Sequence, residues 1–304
     1  MSEHIVHTGI LEDSIALMPY LKKIPSSFVK AVQGHIGFAR LGCITVSGDR
    51  FSFHLLEEYK PLWAKRDDVL EAKLAFILGW VSHRACDRQM KPIWNIKEIF
   101  GRGSDADPSI SPTECSVYHE GTLFNLYYAD DSVYRLAIFP EQLAAWPGAE
   151  LFNLPLAEKF VESSYGMNMI DIQTFPLPPT DQRFMTDLCV QAQKFYVDVS
   201  RYARAAGNPD PERKLNYVKK INWFDDKDPI IIQATLARRG DTLESAKVEA
   251  ALDSSAASHY GKALQMSLGY FLAAAEYFSD DSMSIDTLKD RLDIGKKGPG
   301  GLAV

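Results

Sequence analysis

Cysteine is scarce in this chain. Of 304 residues only Cys43, Cys86, Cys115 and Cys189 are cysteine, and no two of them stand in C-x-x-C spacing. They read as reduced, mostly buried small residues. Positive charge is scarce too: 33 Lys and Arg against 40 Asp and Glu leave a net charge of -7. That balance argues against nucleic-acid or anionic-membrane binding driven by overall charge, and no basic, aromatic-studded stretch suits single-stranded nucleic acid. No run approaches the ~18 apolar residues of a membrane span. The start, MSEHIVHTGILEDS, lacks a basic segment leading into an apolar signal core. The expectation is a soluble, cytoplasmic protein. There is no Gly-rich phosphate loop, no G-x-S-x-G elbow and no credible Cys-His pairing, which removes three common routes to catalysis.

With 46% hydrophobic and 11% aromatic residues the chain can bury a large core in one or two domains. Its richest stretch is LEAKLAFILGWVSHRACDRQMKPIW, Leu70 to Trp94. Leu70, Leu74, Ile77, Leu78 and Val81 have the spacing of a buried helix, and Pro92 marks its end. His83 and Asp87 then stand four residues apart on one helical face, one turn above the other. An imidazole nitrogen and a carboxylate oxygen so placed can close on one cation such as zinc. The same spacing also suits a buried His hydrogen-bonded to an Asp with no metal.

The string Gly79-Trp80-Val81-Ser82-His83-Arg84-Ala85-Cys86-Asp87 resembles the central helix of the zinc-dependent phospholipase C superfamily, where an apolar helix runs into Gly-x-x-Ser-His-x-x-x-Asp. The resemblance covers roughly the first 125 residues and is specific only from Gly79 to Pro92. It implies an all-α fold whose helices bring His and carboxylate ligands to a common cleft. The implied activity is metal-dependent hydrolysis of a phosphodiester, with a small phosphodiester or a lipid as substrate and zinc as cofactor. It also implies further ligands. His7 is the nearest match to the His that opens the family's first helix, or it is a surface His near the chain start. Asp49 would join the metal ligands and act catalytically by orienting the water, although the family's Pro-Asp is missing and Ser47-Gly48-Asp49 also makes an ordinary turn. His54 matches a ligand position and has Glu58 four residues on, in a run that is otherwise solvated. Glu114 and His119 stand in for a last His and Glu whose spacing this chain does not keep. Lys91 occupies the place of a family His; an ammonium cannot ligate a metal, and Lys91 is expected to pair with Asp87 or to take the place of one zinc.

Two other classes remain open: a helical iron or manganese protein of oxidase type, and a metal-free scaffold. His35 and His259 read as structural. Trp80, Trp94, Tyr118 and Phe124 either line a cleft or fill the core. Helices are expected over Gly9 to Met18, Thr113 to Tyr128, Thr180 to Ala206 and Leu243 to Phe278, and only Ile230-Ile231-Ile232 resembles a strand. The domain expectation is one all-α metal-binding unit over residues 1–290, followed by a flexible tail from 291 to 304, in which GKKGPGGLAV from Gly295 is too rich in Gly and Lys to pack.

Overall fold

A computed structural model describes residues 4–43, 56–100, 111–127, 205 and 207–296. The fold is all-α, and among the described residues there is no strand. The helices are α1 (His4–Leu17), α2 (Ser26–Gly34), α3 (Ile36–Cys43), α4 (Asp68–Met90), α5 (Lys97–Phe100), α6 (Pro112–Tyr127), α7 (Pro211–Lys214), α8 (Pro229–Arg238), α9 (Ser245–Asp253), α10 (His259–Ser279) and α11 (Ile285–Arg291). No described helix is long and apolar enough to cross a membrane.

Helix α4 is the centre of the packing. Asp67 caps it by accepting the Leu70 amide at 2.9 Å, and it stops at Met90 because Pro92, lacking an N–H, follows in a 3₁₀ turn over Lys91–Asn95. Nearly every residue from Leu74 to Met90 is buried, the mark of a helix covered on all sides. Its closest neighbours are α3 and α10, with α2 and α1 also in contact. The contact with α3 depends on two glycines: a Cβ at Gly79 would overlap the Ala39 carbonyl oxygen, and one at Gly42 would overlap that of Phe76.

Several expectations need correction. Ile230, Ile231 and Ile232 lie in α8, not in a strand. Pro229 takes the first helical position, where its missing N–H costs nothing. The helix expected over Leu243 to Phe278 is two helices, α9 and α10. Asp228 breaks it by accepting from the amides of Ala257 and Ser258 at 2.7 and 2.9 Å, while Gln265 donates to the carbonyls of Ala251 and Ser254. Ser258 then caps α10 through the Gly261 amide. Helix α6 begins at Pro112, just before the expected Thr113, and Ser111 caps it by accepting the Glu114 amide at 3.2 Å. Of the helix expected over Thr180 to Ala206 only Ala205 is described, and it is helical.

Residues 292–296, the described part of the expected tail, are held against the helices. Leu292 is buried. Arg84 donates to the carbonyls of Leu292 (3.1 Å) and Asp293, Arg88 donates to that of Lys296 (3.0 Å), and Tyr270 donates to the Asp293 carboxylate (2.9 Å). Two buried guanidiniums on α4 therefore tie down residues 292–296, which a reading of Gly and Lys content could not foresee.

Candidate metal centre

Helix α1 carries the first residue of the site. Its leading amides are capped from a distance: Glu120 of α6 accepts from Ile5 at 2.7 Å and from Val6 at 3.3 Å. A carboxylate there satisfies two otherwise unbonded N–H groups and complements the positive end of the helix dipole. Replacing Glu120 with alanine is expected to cost about 1–2 kcal/mol, the usual scale for losing a cap. Equal urea midpoints for variant and wild type would refute that role.

The cap fixes the turn that holds His7, which packs its ring on that of His83 at 4.2 Å between centroids and 9° between planes. His7 Nε2 lies 3.4 Å from Asp87 Oδ1, and His83 Nε2 lies 3.3 Å from Asp87 Oδ2. One ligand atom from each of the three residues falls within 4.8 Å of the others. Tetrahedral zinc with bonds of about 2.0–2.1 Å places its ligand atoms about 3.3–3.4 Å apart. The two contacts to Asp87 have that length, one to each carboxylate oxygen, so a single ion shared by all three residues needs a small adjustment of the side chains. All three residues are buried.

The end of α3 sets the chemistry of His83. Its Nδ1 is 2.8 Å from the Cys43 carbonyl oxygen, and since a carbonyl only accepts, Nδ1 carries a proton. Nε2 faces a carboxylate oxygen of Asp87: a protonated ring donates its N–H there, and a neutral ring turns a lone pair to the same place, which suits a cation held between the two. An N–H bonded to a backbone carbonyl with the other nitrogen turned inward is also how metal-binding imidazoles are oriented. Burial alone would raise the Asp87 pKa, but the neighbouring His83 and His7 imidazoles outweigh it and hold the carboxyl well below the usual carboxylate range. Lys91 Nζ lies 2.7 Å from Asp87 Oδ2, as its position on the same face implies. The Cys43 thiol, also buried, is pushed up by burial and stays protonated.

The remaining expected ligands have other neighbours or fall elsewhere. His119 Nε2 is 2.8 Å from the Tyr217 carbonyl, and its ring stacks on Trp223 at 4.5 Å. Glu114 accepts from the Tyr217 hydroxyl at 2.9 Å and pairs with Arg213. The structure does not bring either into the group formed by His7, His83 and Asp87. Asp49 and His54 lie outside the described residues. Glu58 is exposed. His35 pairs with Asp68 at 3.3 Å, and His259 is held 3.1 Å from the Gln89 carbonyl. Trp80 and Phe124 are core, Tyr118 is buried with its hydroxyl accepting the Asp210 amide, and Trp94 packs half-buried against the core. Sequence reasoning missed the Cys43 carbonyl and the Glu120 cap, and no local spacing announces either.

No family model, no curated protein and no solved structure matches the chain, so the site stands on its own geometry.

Proposed function

We propose that this protein is a metal-dependent hydrolase of phosphodiester bonds, phospholipase C-like, with zinc held by His7, His83 and Asp87. The observation that carries the reading is the inward-facing Nε2 of His83, whose Nδ1 is committed to the Cys43 carbonyl at 2.8 Å while Asp87 lies 3.3 Å from Nε2. Three protein ligands are the number that catalytic zinc sites use, because a fourth position is left for water. Zinc, when bound, lowers the pKa of that water to about 7 and polarises a phosphoryl oxygen. The chain's own part is to orient the ligands: Cys43 fixes the His83 tautomer, and Glu120 anchors the turn that carries His7. The surrounding core strengthens every charge interaction at the centre.

Two histidines and one carboxylate also suit iron(II) or manganese, which supports a second, oxidase-like reading. The ammonium of Lys91 on Asp87 supports a third, a scaffold that keeps the ligands without the metal. Metal analysis of protein purified without a metal-binding tag, paired with a chromogenic phosphodiester assay, separates them. The expected result is zinc near one equivalent with hydrolysis, and metal affinity reduced by orders of magnitude in folded His83→Ala and Asp87→Ala. Iron would favour the oxidase and no metal the scaffold. Full metal content in both variants would place the centre elsewhere.

A further inference from the structure

We propose that Lys91 is the phosphate-binding residue of this centre: when metal loads, its ammonium leaves Asp87 and takes a phosphoryl oxygen of an anionic ester. The inference rests on the metal reading above and adds the group that recognises the substrate. Exposure decreases across the four side chains, from 25% at Lys91 through 13% at Asp87 and 5% at His83 to 2% at His7. The site therefore opens on the Lys91 side, and a ligand approaching from solvent meets that ammonium before it meets the imidazoles.

The backbone of Lys91 is fixed by the end of the helix, and its side chain is a quarter exposed. Its amide donates to the Asp87 carbonyl at the end of α4, and Pro92 follows directly in the 3₁₀ turn. From there a four-carbon stem can swing without disturbing the helix. In the structure Asp87 Oδ2 already faces both His83 Nε2 at 3.3 Å and Lys91 Nζ at 2.7 Å. A divalent ion held by Asp87 and His83 would put a second cation on that carboxylate. In a buried setting the repulsion between the two is far larger than in water, and the mobile one moves. The phosphoryl group brought by the ligand offers the displaced ammonium a new acceptor, through N–H···O hydrogen bonds with no bond broken and no proton transferred. Metal and phosphate binding should consequently be coupled, each tightening the other by the same factor.

Inorganic phosphate is the probe, titrated into zinc-loaded and metal-free full-length protein by calorimetry, with zinc affinity measured separately. Zinc-loaded wild type should bind phosphate markedly more tightly than the metal-free form. Lys91→Gln should weaken phosphate binding to the zinc-loaded protein roughly tenfold or more, the scale of a charge-assisted hydrogen bond. The same variant should bind zinc as tightly as wild type or tighter, because a competitor for Asp87 is gone. General misfolding would lower both affinities, so the opposite signs identify the role, and Lys91→Arg should recover most of the phosphate binding. Zinc bound with phosphate affinity unchanged in Lys91→Gln would overturn the assignment of Lys91 alone. Wild-type protein that takes up no zinc would overturn the metal reading beneath it.

Discussion

Asp13→Ala is expected to cost about 3–5 kcal/mol of folding stability, the scale for removing one partner of a buried ion pair. Asp13 is fully buried in the middle of α1. Its carboxylate accepts from Arg238 Nε at 2.5 Å, the Tyr260 hydroxyl at 2.8 Å and the Tyr127 hydroxyl at 3.1 Å. Arg238 also donates to the Gly9 carbonyl at 3.1 Å and lies over the Tyr127 ring at 4.0 Å. Next to it Glu12 accepts from Arg40 at 3.0 Å. The cluster ties α1 to α3, α6, α8 and α10, so deleting one carboxylate leaves two buried phenols without their acceptor and the Arg238 guanidinium with only Gly9 and Glu12.

The same residue carries a pH signature. Burial raises the Asp13 pKa, and the pull of Arg238 and of its three hydrogen bonds only partly opposes this. A carboxyl whose folded pKa is above its unfolded value of about 3.9 loses its proton first in the unfolded chain. Its contribution is retained below about pH 3.9 and declines as pH rises through the raised folded value. Asp13→Asn cannot titrate and should lack that decline. Urea unfolding of both proteins from pH 3.5 to 7 checks the point, and parallel curves would contradict it.

Gly79→Ala is expected to lower stability by about 1–3 kcal/mol and to weaken zinc binding about 10–100-fold. The added methyl meets the backbone oxygen of Ala39 rather than the tip of a movable side chain, so α3 must shift away from α4. Cys43 closes α3, and its carbonyl is the group that orients His83. One methyl thus acts on the site through packing, with His7, His83 and Asp87 all unaltered. Gly34→Ala is the control, because nothing lies within 4 Å of a Cβ there. Thermal melts and zinc titrations of both variants provide the readout; a Gly79→Ala protein with wild-type zinc affinity would separate the helix contact from the site.

What the sequence by itself determined is whatever depends on residues a turn or two apart. Apolar spacing, Asp67 and Pro92 set the bounds of α4, and a four-residue offset put His83, Asp87 and Lys91 on one face of it. The all-α class follows from the same short-range rules. What only the tertiary structure decided depends on how helices dock. His7 meets Asp87 because α1 is held by Glu120 from α6, and His83 reaches the Cys43 carbonyl through Nδ1 because two glycines let α3 approach α4. His119 and Glu114 turn instead to the segment around Arg213 to Trp223, and Asp228 breaks the helix expected through Ser254 to Ser258. Arg84 and Arg88 likewise hold residues that composition assigned to a loose tail. Helical periodicity states which face a side chain occupies, whereas the partner it meets there is chosen by packing between segments far apart in the chain.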